Sequence, residues 1–150
     1  MLNFYEKRIV FQEVPNEISL AFGITGCPLR CKGCHSPFSW PAEKGESLTK
    51  GVLLEAIEPY KGMISTVLFM GGEWDKELLK ELLMACHEAG LKTALYTGLD
   101  SVDDDLMAHL TYLKTGRWIP ELGGLASLTT NQKLVHVPTG EDLTFLFRKQ

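Results

Sequence analysis

Cys27, Cys31 and Cys34 are three of the chain's four cysteines, in the spacing Cys-x3-Cys-x2-Cys. Thiolates are the usual ligands of the irons in iron–sulfur clusters, and three so close together let one loop take three corners of a [4Fe–4S] cube. Gly26 and Gly33 permit unusual backbone angles beside the ligands, and Pro28 favours a turn where the loop begins. The fourth cysteine, Cys86, follows Leu82 by four residues on the apolar face of a predicted helix, where an unpaired cysteine reads as a small buried hydrophobe. One iron is then left without a protein ligand, and an open position is what separates catalytic metal sites from structural ones. Other chemistries fit the same residues. Structural zinc would take His35 or His136 as fourth ligand, although the usual two-pair arrangement is missing. A closed electron-transfer cluster would recruit Cys86 and draw a core helix onto the loop. Metal-free reactive thiols are the remaining alternative.

The surrounding elements must hold such a loop in place. Residues 17–24 alternate and then turn wholly apolar, which predicts a strand running into the core and ending at Thr25-Gly26, directly before Cys27. Ser47 or Thr49 caps a helix carrying Leu53, Leu54 and Ile57 and ending before Pro59. Residues 64–70 form a second buried strand, which ends at Gly71-Gly72-Glu73-Trp74. Asp75 caps a helix with Leu78, Leu79, Leu82, Leu83 and Cys86 on one face, stopped at Gly90. Residues 91–96 are a third strand, Asp100 or Ser101 starts a short acidic helix, and Tyr112-Leu113 is a short fourth strand. Ile9-Val10-Phe11 reads as an edge strand, and residues 117–132 as loop. Residues 133–137 and 143–147 alternate around a Pro138–Asp142 turn, which predicts a C-terminal hairpin.

Strands alternating with helices imply an α/β fold with right-handed crossovers, here a small open or partial (β/α) barrel of mainly parallel strands plus the hairpin. Ligands in such sheets bind beyond the carboxyl ends of the strands, so the cysteine loop and the Gly71-Gly72-Glu73 turn should share a rim. A lone glycine pair is otherwise an ordinary strand-to-helix turn.

The 150 residues suit one domain spanning 1–150, and a chain of this size buries roughly 68–70% of its unfolded surface, so it needs no disulfide staples. A net charge of −4 argues against general nucleic-acid binding or a polybasic membrane-surface role. The first residues are mixed and charged, without the apolar core of a signal peptide, and no run of apolar residues is long enough to span a bilayer. The expectation is a cytoplasmic protein with no nucleic acid and no membrane among its partners.

The motif Cys27-x3-Cys31-x2-Cys34 resembles the fingerprint of radical S-adenosylmethionine (SAM) enzymes. In that superfamily the methionine end of SAM chelates the open iron, and an electron from the cluster releases a 5′-deoxyadenosyl radical. The short length, Gly33, Gly71-Gly72-Glu73, Tyr96-Thr97-Gly98 and Thr130-Asn131-Gln132 are together similar to the activating proteins of anaerobic (class III) ribonucleoside-triphosphate reductases, over residues 11–137. The resemblance implies an oxidoreductase, an activase that generates a glycyl radical on the reductase's glycyl-radical subunit. It implies one [4Fe–4S] cluster per chain, SAM, and an electron donor such as flavodoxin or ferredoxin. Cys27, Cys31 and Cys34 would hold the cluster. Gly33, Cys34 and His35 would line the SAM site, and Gly71, Gly72 and Glu73 would cradle the methionine amino end. Asn131 would hydrogen-bond SAM or the partner's glycine loop, or else cap a turn. No catalytic side chain is implied beyond cluster and SAM. Two positions depart from the common pattern: His35 stands where many relatives have an aromatic residue, and Glu73-Trp74 where many have Asp-Pro.

Softer candidates are Lys114 and Arg117 for an anion, and Phe38, Trp40 and Trp118 for a partner-facing surface. His87, His109 and His136 are assigned no role. Alternatives to the reductase activase are an activase of another glycyl-radical enzyme, a small-molecule radical SAM enzyme or, in another class, a zinc-stabilised binding module.

Overall fold

The computed structural model describes residues 2–25, 45–117 and 119–148. They form one eight-stranded sheet in the order β3-β1-β2-β4-β5-β6-β7-β8. The strands are β1 (Asn3–Val10), β2 (Ser19–Ile24), β3 (Glu46–Ser47), β4 (Thr66–Met70), β5 (Lys92–Tyr96), β6 (Tyr112–Thr115), β7 (Lys133–His136) and β8 (Glu141–Asp142). The helices are α1 (Lys50–Ile57), α2 (Lys76–Glu88) and α3 (Asp104–Met107). The sheet is open: it begins and ends in two-residue strands, β3 and β8, which are not paired with each other. Among the described residues no helix is long and apolar enough to cross a membrane.

The parallel arrangement is confined to the centre. β2–β4, β4–β5 and β5–β6 are parallel, whereas β1–β2, β1–β3, β6–β7 and β7–β8 are antiparallel. This corrects the expectation of a mainly parallel sheet. The reason lies in the connections. A parallel pair needs a crossover of a dozen or more residues, usually a helix. α1, α2 and α3 supply crossovers for the three central pairs. The β1–β2 link is too short for one, and the segment between β6 and β7 contains no helix among its described residues, so both ends of the sheet fold back antiparallel.

The helix ends follow the local chemistry of the sequence. Thr49 Oγ1 accepts from the Val52 N–H at 3.2 Å, and Asp75 Oδ1 from the Leu78 N–H at 3.3 Å. At the end of α2, Gly90 N–H donates to the His87 carbonyl (2.9 Å) and Leu91 N–H to the Cys86 carbonyl (3.0 Å), the paired bonds of a Schellman stop. The acidic helix begins later than its sequence suggests, at Asp104, and makes a single turn.

Two strands differ from expectation. Ile9-Val10 is the end of a longer strand than expected, β1, with Phe11 just beyond it; β3 borders only Asn3 and Phe4, so among the described residues Ile9-Val10 pairs with β2 alone and keeps the edge position the sequence suggests. The C-terminal hairpin forms, but β8 occupies Glu141–Asp142 and residues Thr144–Arg148 curl into a 3-10 turn instead of a second long arm. Thr144 causes this curl. Its Oγ1 accepts the Leu134 N–H at 2.9 Å, replacing a ladder carbonyl, and its own N–H turns back to Asp142 Oδ1 at 2.9 Å.

Successive residues of a strand face opposite sides, which divides the core in two. On one face Leu20, Phe22, Val67, Phe69 and Leu95 pack against Leu53 and Ile57 of α1 and Leu79, Leu82, Leu83 and Cys86 of α2. Phe22 stacks on Phe69 with ring centres 5.9 Å apart. On the other face Ala21, Leu68, Ala94, Tyr112 and Leu134 lie under Val14, Leu125, Leu143 and Phe147, so irregular segments replace a second helix layer.

Candidate functional site

Cys27, Cys31, Cys34, Gly33 and His35 lie outside the described residues, as do Phe38, Trp40 and Trp118. The residues on either side of the cysteine segment are tied to one place. Thr25, at the carboxyl end of β2, donates from its N–H (2.9 Å) and its Oγ1 (3.2 Å) to the Asn3 carbonyl. Beyond the segment, Glu46 and Ser47 pair with Phe4 and Asn3, and Leu48 N–H donates to the Leu2 carbonyl at 2.8 Å. Both flanks are thus fastened to the first residues of β1.

The carboxyl ends of β4, β5 and β6 continue this rim. Gly71 N–H donates to the Tyr96 carbonyl (3.0 Å), Thr97 N–H to the Lys114 carbonyl (2.9 Å), and Gly116 N–H to the Leu99 carbonyl (2.8 Å). Gly71 and Gly72 have φ of 108° and 110°, a region that side chains disfavour, and this lets the chain leave β4 in a tight turn. A Cβ on Gly71 would also stand 2.8 Å from the Trp74 ring. Trp74 thus packs in the space that a larger residue at Gly71 would fill, directly before the Asp75 cap of α2.

That turn delivers Glu73. Its Oε1 accepts from Thr97 Oγ1 at 2.6 Å. Its Oε2 is buried, and no donor among the described residues reaches it. Burial pushes the Glu73 carboxyl above its ordinary range, and the opposing pull of the Thr97 hydrogen bond, its own backbone N–H and the Lys114 charge does not restore it. Among the described residues Lys114 is the cation acting on this carboxylate, and it does not hydrogen-bond Oε2. Lys114 donates to the carbonyls of Gly116 (2.8 Å) and Thr97 (3.4 Å), with its ammonium 5.8 Å from the Tyr96 ring centre.

Asn131 closes the rim on the far side of β6. Its Nδ2 donates to the Arg117 carbonyl at 3.2 Å, which fixes the amide orientation and leaves Oδ1 as the other group. Asn131 Oδ1 is also buried without a donor among the described residues. Gln132 Nε2 donates to the Gly116 carbonyl at 3.3 Å. Gly71, Gly72, Glu73 and Asn131 therefore sit on one rim, joined through Thr97, Lys114 and Gly116. Neither of the two buried acceptors there has a donor among the described residues, which suits a ligand carrying an ammonium or amide hydrogen.

Cys86 is elsewhere. It is 0% exposed within the α2 core face, and burial pushes its thiol up to about 12. His87 and His109 meet Thr93 at the opposite end of β5: His87 Nε2 lies 2.8 Å from the His109 carbonyl, which also accepts from Thr93 Oγ1 at 2.6 Å. His136 Nδ1 bonds to Thr139 Oγ1 at 2.8 Å in the β7–β8 turn. The residue the sequence reading left without a role is Thr97, and the available signal was its position as first residue after a strand, before a glycine.

Residues 18–115 match the family described as the 4Fe-4S single cluster domain. The chain belongs to that family, and the matched stretch contains the three clustered cysteines and the Gly71–Glu73 turn. The chain is also 37% identical over 78 residues to a pyruvate formate-lyase-activating enzyme from Clostridium pasteurianum, covering 48% of this chain and 33% of that protein. The match thus spans about a third of the relative's own length.

Proposed function

We propose that the chain is a radical SAM activase, one domain over residues 1–150, which generates a glycyl radical on an anaerobic ribonucleoside-triphosphate reductase. The observation that carries this reading is the family match over residues 18–115, in a chain whose other cysteine, Cys86, is buried in the core. The donor set fits a cluster with one open iron: Cys27, Cys31 and Cys34 are the ligands. Such a cluster, held by these cysteines, would supply the low-potential electron for reductive cleavage of SAM and so the radical chemistry directed at the partner's glycine.

The chain's own residues bind and orient. Gly71 and Gly72 bring backbone close to the methionine end, and Glu73 Oε2, which no donor among the described residues reaches, accepts from its ammonium. Gly33 and His35, the neighbours of the third ligand in sequence, would contact SAM as well. Asn131 Oδ1 accepts from SAM or from the partner's glycine loop. The electron reaches this chain's cluster from a donor such as flavodoxin or ferredoxin, and the setting is an anaerobic cytoplasm. The likeness to a pyruvate formate-lyase-activating enzyme favours a second reading, in which the partner is a glycyl-radical lyase of that type.

The deciding experiment is anaerobic incubation of the reconstituted protein with SAM, a reductant and each candidate partner in turn. Electron paramagnetic resonance should show a glycyl radical on the reductase and not on the lyase. The reverse pattern selects the second reading. Stoichiometric zinc with no iron or sulfide, and no response to SAM, overturns both.

A further inference from the structure

The Thr97 hydroxyl has no freedom in how it bonds. Its oxygen accepts the Leu99 N–H at 3.1 Å, so its single proton is left for Glu73 Oε1, 2.6 Å away. The residue is 2% exposed, which keeps water from taking over either bond. Its backbone N–H is held by the Lys114 carbonyl at 2.9 Å, so the hydroxyl is placed by the β5–β6 ladder and not by a loose loop. With Oε1 taken in this way, the Glu73 carboxylate cannot rotate without breaking a charge-assisted hydrogen bond. Oε2 is left as the buried oxygen that no donor among the described residues reaches.

We propose that Thr97 is a positioning residue for SAM: by pinning Glu73 Oε1 it presents Oε2 alone, in one orientation, to the ammonium group of the methionine moiety. The inference rests on the reading of Gly71-Gly72-Glu73 as the cradle of that amino end. It adds the device that makes the cradle rigid before the ligand arrives. A carboxylate whose orientation is already set loses less freedom on binding, which strengthens the single bond it makes. Thr97 touches neither SAM nor the cluster in this scheme and acts through Glu73.

The test compares Thr97→Val, which keeps the shape and removes the hydroxyl, with Thr97→Ser, which keeps the hydroxyl. Anaerobic titration calorimetry on the cluster-reconstituted protein uses two probes, SAM and its desamino analogue. Thr97→Val should lose about tenfold in SAM affinity, the order expected when a charge-assisted contact is misaligned. Thr97→Ser should stay close to wild type, and Glu73→Gln should lose at least as much as Thr97→Val. For the desamino analogue, Thr97→Val and wild type should bind alike. Wild-type SAM affinity in Thr97→Val, with Glu73→Gln weakened, overturns the role of Thr97 and leaves the cradle standing. Wild-type affinity in Glu73→Gln overturns the cradle itself. Equal losses for both probes in Thr97→Val mark a mere strap of the rim and also overturn the proposal. Should Thr97→Val lose its cooperative thermal melt, Thr97→Ala and Thr97→Ser are compared with the same probes and the same outcomes.

Discussion

The Cys86 thiol, fully buried on α2 and pushed up to about 12, stays protonated at neutral pH, and a protonated thiol is a poor metal ligand. Cys86→Ala should therefore retain full iron and sulfide after anaerobic reconstitution, while stability falls by about 1 kcal/mol, the usual cost of a single core change. Cys27→Ala, Cys31→Ala or Cys34→Ala should each lose the cluster signal with little change in the thermal melt. Loss of cluster in Cys86→Ala would mean that the core opens to deliver a fourth ligand. Glu73 is the converse case. Both it and Cys86 are buried and shifted upward, but Cys86 packs among leucines, whereas Glu73 has one oxygen bonded and one that no donor among the described residues reaches. Residue type does not separate them; the neighbours do.

At the scale of elements, the rim depends on turns that only glycine can make. Gly116 has φ of 98°, and a Cβ there would stand 2.9 Å from the Asn131 carbonyl oxygen and 3.0 Å from Gln132 Cα. Both obstacles are backbone, so neither can swing aside. Gly116→Ala should cost roughly 1–3 kcal/mol from backbone strain, with a further loss as the Asn131 segment is displaced. Gly62→Ala is the control: φ is 85°, but nothing lies within 4 Å of the added atom. Chemical denaturation of the two variants should place Gly116→Ala clearly below Gly62→Ala. Equal losses would mean that the β6 turn and the Asn131 segment are not tightly apposed. The same packing explains why Asn131, fifteen residues beyond Gly116 in sequence, belongs to the rim at all.

At the scale of the whole molecule, the opposite end of the sheet is fastened by a buried acid. Glu17, 6% exposed, accepts from Ser65 Oγ (2.6 Å), Lys92 Nζ (2.8 Å) and Tyr112 Oη (2.5 Å), residues at the starts of β4, β5 and β6. Burial opposes the charged form of Glu17, but the bonds from Lys92, Ser65 and Tyr112 outweigh it and hold the carboxyl below its ordinary range. A depressed folded value means that the stability it contributes is present above the unfolded carboxylate range. It is lost as pH falls through the folded value. Glu17→Gln should lose roughly 1.5–3 kcal/mol near neutral pH, the worth of hydrogen bonds to a charged group, and its acid unfolding limb should be shallower than that of wild type. An unchanged acid limb in urea melts at successive pH values would show that Glu17 is not the strap. This strap lies at the amino-terminal rim, at the opposite end of the strands from the rim proposed to bind SAM.

Most of the central fold was legible from consecutive residues. The apolar runs of β2, β4 and β5, the Thr49 and Asp75 caps, and the Gly90 stop each depend on neighbours a few positions away, and each forms where its sequence indicates. The three clustered cysteines, the membership of a 4Fe–4S family and the Gly71-Gly72-Glu73 turn were legible for the same reason, since the spacing of a motif is itself local. What only the tertiary structure decided involves partners far apart in sequence. The charged run Glu6-Lys7-Arg8 hides β1, because its pairing with β2 and β3 is visible only once those strands are beside it. The curl at Thr144 follows from a bond to Leu134, and the antiparallel ends follow from connections without helices. The proposed role of Thr97 comes from its bond to Glu73, in the turn that follows the neighbouring strand β4. Local signals carry the elements and the cluster motif because short-range sterics and capping act within one turn. The pairing of strand ends, and with it the orientation of the Glu73 carboxylate, is set when loop closure brings distant residues together.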